Sequence, residues 1–306
     1  MVAATATAQR CRRASRRKSV KVLVFGKTGQ VGLELQRRRG EIDLEVVGRD
    51  EGDFTDPATC VEKVEGTDAD AIVNAVAYTA VDKAEDHEDV ALLINGQTPG
   101  ALAQAAARRG LPFVHISTDY VFDGQGNKPY SEDHATGPLG AYGRSKLAGE
   151  MKVRAANGPH AILRTSWVVS SHGGNFVKTM LRLGAERDQL TVVADQIGGP
   201  TCAASIADAC LTCARQLVED PGKSGTYHFS GQPNVSWADF AREIFRQSGM
   251  ECKVVDIPSS DYPTRASRPL NSRLDNSKIE RVFGIRSPDW RQDLAEILKD
   301  LGVSKA

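Results

Sequence analysis

Val20-Lys21-Val22-Leu23-Val24-Phe25 runs directly into Gly26-Lys27-Thr28-Gly29-Gln30-Val31-Gly32. The first stretch has the length and composition of a buried strand, and the residues that follow, to about Arg39, have helical spacing. The glycines of this G-x-x-G-x-x-G string therefore fall in the turn between a strand and a helix. At such a turn the unpaired N–H groups and the dipole of the helix N-terminus attract a pyrophosphate, and glycine lets it come close. Gly26, Gly29, Gln30, Val31 and Gly32 are the first candidates for holding a dinucleotide. Glycine also serves strand-to-helix turns for steric reasons alone, so it is the setting at the start of a β-α-β unit that favours the ligand.

Outward from this turn, short apolar runs alternate with longer amphipathic ones, the pattern of β-α units on a parallel sheet. Strands are expected at Leu44–Val47, Ala71–Ala77, Phe113–Ser117 and Ala161–Arg164, with helices at Pro57–Val64, Val90–Arg109 and Tyr142–Ala155. Asp119–Gly140, rich in Gly, Pro, Asn and Asp, is a long loop, and long loops in compact domains are often functional. Beyond Arg164 the spacing loosens. Helices are expected near Phe176–Ala185, Ala204–Leu217, Trp237–Gln247 and Asp289–Leu301, and strands near Leu190–Val193, Thr226–Phe229 and Lys253–Ile257. The expected fold class is α/β: a doubly wound Rossmann-type parallel sheet over residues 20–170, with a smaller, intertwined C-terminal substrate lobe over 171–306. Some segments of that lobe are expected to return to the sheet.

Residues 1–19 stand apart. Arg10, Arg12, Arg13, Arg16, Arg17 and Lys18 lie among Ala, Thr and Ser, with no acidic residue before Glu34. This reads as a solvated basic arm, compatible with a disordered extension or an organelle transit segment, and it lacks the apolar core of a secretory signal. Over the whole chain Lys plus Arg equals Asp plus Glu at 39 each, so no excess charge points to nucleic acid or an anionic membrane. No apolar stretch approaches the roughly 18 residues of a membrane span. The six cysteines are scattered, which suits a reducing compartment and a cytoplasmic enzyme. Cys210 and Cys213 form a C-x-x-C pair inside a helical pattern with no second ligand pair nearby. They read as a buried helix face, and no metal site is assigned.

Tyr142-Gly143-Arg144-Ser145-Lys146 is Y-x-x-x-K, and its i,i+4 spacing puts both side chains on one helix face. A free phenol titrates near about 10, and a cation beside it lowers such a group by roughly one to three pH units. Lys146 is therefore expected to bring Tyr142 toward neutrality as an acid–base group. Upstream, Ser117-Thr118-Asp119 ends a strand at the carboxyl edge where open α/β sheets bind their ligands, and the Thr118 hydroxyl is placed to polarise a carbonyl. The bland readings are a capping hydroxyl for Thr118 and a turn residue for Asp119. At the end of the second strand, Gly48-Arg49-Asp50 leaves the cofactor open: Arg49 suits the 2′-phosphate of NADPH, and Asp50 suits the ribose hydroxyls of NADH. Asp53 and Phe54 are candidates for the adenine edge, although a turn before Pro57 explains Asp53 equally well.

With these residues in order, the chain resembles the extended short-chain dehydrogenase/reductases and, within them, the dTDP-4-dehydrorhamnose reductases. The resemblance covers roughly Val20 to Leu301. It is carried by GKTGQVG (26–32), VNAVAYTAVDKAE (73–85), STDYVF (117–122), YGRSKLAGE (142–150), RTSWV (164–168), DQIGGPT (195–201) and RPLNSRL (268–274). It implies NADPH- or NADH-dependent reduction of the C4 carbonyl of dTDP-4-dehydro-L-rhamnose, with Tyr142 supplying the proton. Gly29, Gln30 and Val31 would contact the pyrophosphate, Arg49 would stand at the adenosine ribose, and Asp53 and Phe54 would flank the adenine. Ala77, Tyr78 and Thr79 would line the path to the nicotinamide ribose, which Lys146 would hold. Thr118, Asp119 and Trp167 would meet the sugar; without the resemblance Trp167 reads as a core aromatic at a strand end. Arg268 and Arg273 are the inferred anchors of the substrate diphosphate, because a guanidinium fork matches phosphate.

The departures are modest. Tyr78 stands where the family often has His, Arg49 stands where several members carry an acid, and the basic arm lies outside the pattern. A homodimer is one assembly the resemblance implies, in some relatives linked by magnesium through acidic residues that these strings do not place. Two other functions share the fold. A dehydratase would carry Glu after the Thr-Asp pair, where this chain has Tyr120, and an epimerase would consume no cofactor. A non-catalytic regulatory subunit of methionine adenosyltransferase would have no need of Thr118, Tyr142 and Lys146 together.

Overall fold

A computed structural model describes residues 19–303. All but the last residue of the basic arm lies outside that range. β1 (Lys21–Phe25) leads through the glycine turn to α1 (Gln30–Arg37), and β2 (Asp43–Val47), α2 (Pro57–Gly66) and β3 (Ala71–Asn74) follow. Two short helices, α3 (Val81–Ala84) and α4 (Glu88–Leu92), then precede a π-helical turn at Leu93–Gln97 and α5 (Thr98–Arg108). β4 (Phe113–Thr118), α6 (Ala141–Ala155) and β5 (His160–Thr165) complete the first half. The second half comprises β6 (Val168–Val169), α7 (Phe176–Glu186), β7 (Gln189–Val193), β8 (Ile197–Gly198), β9 (Thr201–Cys202), α8 (Ala203–Glu219) and β10 (Gly225–His228). β11 (Val235–Ser236), α9 (Trp237–Ser248), β12 (Lys253–Ile257), β13 (Asn271–Ser272), α10 (Ser277–Phe283) and α11 (Trp290–Asp300) end it.

The central sheet has six parallel strands in the order β10-β5-β4-β3-β1-β2. Alternation along β1 shows why helices cover both faces. Val22 and Val24 join one core with Val31 and Leu35 of α1, Ile206 and Cys210 of α8 and Ile279 of α10. Leu23 and Phe25 join the other with Cys60 and Val64 of α2, Leu102 of α5 and Val153 of α6. Successive strand side chains point to opposite faces, so a continuous apolar run requires two covers. The strand order reverses between β1 and β3, which opens a crevice beyond their carboxyl ends.

Three expectations change. The apolar run to Ala77 stops being strand at Asn74, whose Oδ1 accepts from the Val76 amide and turns the chain out of the sheet toward the crevice. The single helix expected over Val90–Arg109 is interrupted by the π turn, which carries Asn95 inward and fully buries it. The strand read at Thr226–Phe229 lies at 225–228 and pairs with β5 as the sheet's sixth strand. A third core, between α7, α9 and α11, contains Val177, Phe240, Ile244, Trp290 and Leu294. The short pairs β8–β11, β8–β13 and β6–β9, and helix α10, have too few residues to leave a periodic trace in sequence.

Cys210 and Cys213 lie fully buried on the sheet-facing side of α8, and burial pushes the Cys210 thiol up to about 12 and Cys213 well above its ordinary value. Among the described residues no helix is long and apolar enough to cross a membrane.

Candidate active site

The glycine string divides by purpose. A Cβ on Gly32 would stand 1.6 Å from the Gly26 carbonyl oxygen, so Gly32 is required for α1 to pack on the turn. Gly26 adopts φ +115°, and a Cβ there would meet the Ala75 backbone at 3.0 Å. Gly29 differs, because its φ of −72° suits any residue and its nearest neighbour would be 4.0 Å away. The fold does not need a glycine there. What Gly29 leaves is open approach to the N-terminus of α1, where no side chain caps the free N–H groups.

A cleft of about 310 Å³ lies at this point, lined by Gly26–Gly29, Gly48, Arg49, Asp53, Phe54, Ala75–Tyr78 and Ile94. It fits a dinucleotide's chemistry: uncapped amides for a pyrophosphate, the Phe54 side for a flat base, and charge at the rim. Of the predicted cofactor residues, Gly26, Gly29, Arg49, Asp53, Phe54, Ala77 and Tyr78 meet here. Gln30, Val31 and Gly32 form the start of α1, with the Val31 side chain turned into the core, while Thr79 is exposed just beyond the cleft. Phe54 packs edge-on to Phe25 at 5.7 Å. Asp53 is held below the usual carboxylate range, first by the Thr55 amide it accepts from and also by Arg49, whose Nε lies 3.1 Å from Asp53 Oδ2. The Lys27 side chain passes over Gly48, so two cations border the end of β2. A larger surface groove of about 490 Å³ between α9 and α11, lined by Glu243, Arg246, Gln247 and Arg291, touches none of these residues.

The second group gathers at the end of β4. Tyr142, one residue into α6, is half-buried, and its phenol lies beside the Thr118 hydroxyl. Burial pushes Tyr142 up to about 12, the neighbouring Asp119 charge adds to this, and Thr118 opposes it. The expectation that Lys146 would lower this value is not met. Lys146 Nζ donates to the Ile116 carbonyl at 2.6 Å, and burial brings the lysine itself down to about 8. Helical spacing placed the two residues on one face, but a lysine reaching down to β4 does not neutralise the desolvation of the phenol.

Asp119 is fully buried and pushed up to about 6 by burial, with Ser272 and Thr118 pulling it back, while its Oδ2 has no hydrogen-bond partner among the described residues. Thr118 Oγ1 donates to Asp119 Oδ1 at 3.1 Å. Trp167 is half-buried in the left-handed region at φ +48°, a conformation a bulky residue adopts only when its surroundings impose it. They do so here: its indole stacks on Trp237 at 3.6 Å and lies on Gly198, whose Cβ would come within 2.8 Å of it. Arg268 Nη2 pairs with Asp82 at 2.7 Å, its Nη1 is buried without a hydrogen-bond partner among the described residues, and its charge faces Tyr120, which packs edge-on to Tyr142 at 5.5 Å. Arg273 is tied to Asn271 at 2.9 Å just after β13.

Sequence reasoning missed Asn95. Its Oδ1 accepts from the Tyr78 amide at 2.8 Å, and its Nδ2 donates to the Tyr78 carbonyl at 3.1 Å and to Ser145 Oγ at 2.9 Å, so it joins the cofactor cleft to the catalytic helix. The one signal in the chain is Gly96-Gln97-Thr98-Pro99, a poor continuation of a helix. Trp237 and Asp82 were missed as well, because their partners are remote in sequence.

Comparison with known proteins agrees with this geometry. A family model described as "RmlD substrate binding domain" matches residues 20–303. The dTDP-4-dehydrorhamnose reductase of Sinorhizobium fredii is 45% identical over 286 residues, covering 91% of this chain and 97% of that one. The crystal structure of a dTDP-4-dehydrorhamnose reductase from Clostridium acetobutylicum superposes with a TM-score of 0.86 at 36% identity, over 92% of this chain and 100% of that one. The reductase of Bacillus anthracis, solved in complex with NADP, gives 0.85 at 34% identity over 92% and 99%. With a doubly wound sheet, a cleft at its switch point and a Thr-Tyr-Lys group beside it, the chain belongs to the dTDP-4-dehydrorhamnose reductase family.

Proposed function

We propose that the protein reduces the C4 carbonyl of dTDP-4-dehydro-L-rhamnose to the alcohol of dTDP-L-rhamnose, using a nicotinamide dinucleotide held over α1. Bound in the cleft, the cofactor supplies the hydride. The chain's residues do the rest. The Thr118 hydroxyl donates to the substrate oxygen, and Tyr142 gives its phenolic proton to that oxygen as negative charge develops on it. The observation that carries this reading is the placement of the Tyr142 phenol, at the start of α6, beside Thr118 at the carboxyl end of β4, where burial pushes the phenol up to about 12. A reductase needs a proton donor at this point, and a group pushed up to about 12 is one. Lys146 holds the nicotinamide ribose hydroxyls, Asp119 and Trp167 meet the sugar, and Arg268, presented by Asp82, takes the diphosphate together with Arg273.

Lys27 and Arg49, both beside Gly48, favour NADPH over NADH, because two cations at the end of β2 suit a 2′-phosphate better than a bare hydroxyl. Tyr120 stands where a dehydratase would carry a carboxylate, so the carboxylic acid that would protonate a leaving hydroxyl is missing from that position. A division of the chain at about residue 170 is compatible with this reading: Trp237 stacks on Trp167, and Arg268 and Ser272 lie near Tyr120 and Asp119, while α8 and β10 pack on the first sheet. Among the described residues no three His, Cys, Asp or Glu side chains are grouped to hold a metal, and no step is drawn through magnesium. The test is an assay of the purified protein with the 4-keto sugar nucleotide and each nicotinamide cofactor. Steady loss of reduced-nicotinamide absorbance, one equivalent per product, is expected. Sugar conversion with no net cofactor loss would overturn the reading.

A further inference from the structure

One turn beyond Lys146 on α6, Glu150 is completely buried, and its contacts lead to β4, to β5 and along its own helix. Its Oε1 accepts from Ser117 Oγ at 2.6 Å and from Arg164 Nε at 2.9 Å; its Oε2 accepts from Arg164 Nη2 at 2.7 Å and from Arg154 Nη1 at 3.1 Å. Ser117 lies on β4 between Ile116, whose carbonyl holds Lys146, and Thr118, whose hydroxyl meets Tyr142. Arg164 belongs to β5, packs over the Phe122 ring at 5.0 Å and is itself 3% exposed. A buried carboxylate is retained only when it is paired and hydrogen-bonded, and this one is paired from two strands and from its own helix.

We propose that Glu150 is a positioning residue for the reduction: it fastens α6 to β4 and β5 behind the site and sets a negative charge against the Lys146 ammonium. The inference rests on the assignment of Tyr142 and Lys146 proposed above. The charged and titratable groups around Lys146 are few. On α6 they are Tyr142 and Glu150. From β4 comes His115, fully buried, which burial and the Lys146 charge keep neutral, and from β5 comes Arg164, already engaged by Glu150. Against the burial that pulls Lys146 down to about 8, Glu150 is the group that raises it. Removing this carboxylate leaves the lysine with burial alone, so its ammonium is lost at lower pH. Ser117 adds a mechanical role, since the same carboxylate holds the strand segment from which both Ile116 and Thr118 act.

The test uses the full-length protein and two readouts, the pH profile of kcat with sugar nucleotide and NADPH, and the pH dependence of NADPH binding by fluorescence, which needs no turnover. Glu150→Gln is the direct variant. Because it strands a buried Arg164, a paired Glu150→Leu/Arg164→Met variant replaces both charges by apolar groups and keeps the core neutral. In both, the alkaline limb of each profile is expected to move by about one pH unit toward acid, with kcat at pH 8 falling about fivefold and KM changing less. If the single variant does not fold, the paired one decides. A correctly folded paired variant with the wild-type alkaline limb in both readouts would overturn the proposal. Wild-type protein that binds NADPH with this pH dependence but does not reduce the sugar nucleotide would instead overturn the proposed substrate and leave the role of Glu150 standing.

Discussion

Two alanine substitutions three residues apart in the same turn have opposite expected effects. In Gly32→Ala the new methyl would lie 1.6 Å from the Gly26 carbonyl oxygen, about 1.8 Å inside an ordinary 3.4 Å contact, and 2.8 Å from its carbon. Both obstacles are backbone, so no side-chain rotation relieves them and α1 must lift from the turn. Lifting it draws on the burial of Val31 and Leu35, which lie in the core under the sheet. Overpacking costs roughly 1–3 kcal/mol and partial exposure of two such side chains adds roughly 1–2 kcal/mol, so a loss of about 2–5 kcal/mol is expected. In Gly29→Ala the backbone already has φ −72° and ψ 161°, and the methyl has no neighbour closer than 4.0 Å. Stability should hold or rise by up to about 1 kcal/mol, since alanine restricts the unfolded chain. The methyl nevertheless stands where the pyrophosphate must approach, and NADPH binding should weaken by at least about tenfold. Urea unfolding followed by circular dichroism and NADPH titration by fluorescence separate the two effects. A Gly32→Ala protein with the wild-type unfolding midpoint would refute the packing argument, and a Gly29→Ala protein with wild-type NADPH affinity would refute the placement of the pyrophosphate.

Tyr142→Phe removes the proton donor while leaving the cleft intact, so kcat should fall by about 10²–10⁴ with NADPH affinity within a few-fold of wild type; stopped-flow turnover and fluorescence titration read the two, and near-normal turnover counts against Tyr142 as the donor. Asp119 has its folded value raised to about 6 from 3.8, so between these two pH values the folded chain keeps a proton that the unfolded chain has lost, and stability falls as pH rises through the window. Asp119→Asn should therefore be more stable than wild type by up to ~3 kcal/mol at pH 7 and by little at pH 4, and an equal difference at both pH values in thermal unfolding would contradict this. Replacing Lys27 and Arg49 by Gln should weaken NADPH by about ten- to a hundredfold and NADH much less, as measured by competitive binding, and an equal loss for both cofactors would place the 2′-phosphate elsewhere.

Much of this molecule was legible in local pattern. β1, the glycine turn and α1 follow one another within Lys21–Arg37, and the short-range sterics of Gly26 and Gly32 leave little freedom, so the candidate dinucleotide turn could be read before any tertiary contact was known. Tyr142 and Lys146 were legible as one helix face for the same reason: i,i+4 spacing is a local property of a helix. Which way those side chains then turn is not local. Lys146 reaches to the Ile116 carbonyl instead of the phenol, and Tyr142 is raised instead of lowered, because the depth at which α6 packs on β4 decides the desolvation of both. Asn95 escaped notice because its use depends on a π turn facing Tyr78 and Ser145, which are 17 and 50 residues away. β10 joined the central sheet from the far half of the chain, and a strand of only four residues carries no mark of the strand it will pair with. Sequence by itself therefore determined the fold class and singled out the glycine turn and the proposed acid–base pair, all set by contacts within one or two elements. Tertiary structure alone decided the protonation of Tyr142, the strained seat of Trp167 on Trp237 and Gly198, and the buried hub at Glu150, because burial and charge at a point are sums over groups that the chain brings together only by folding.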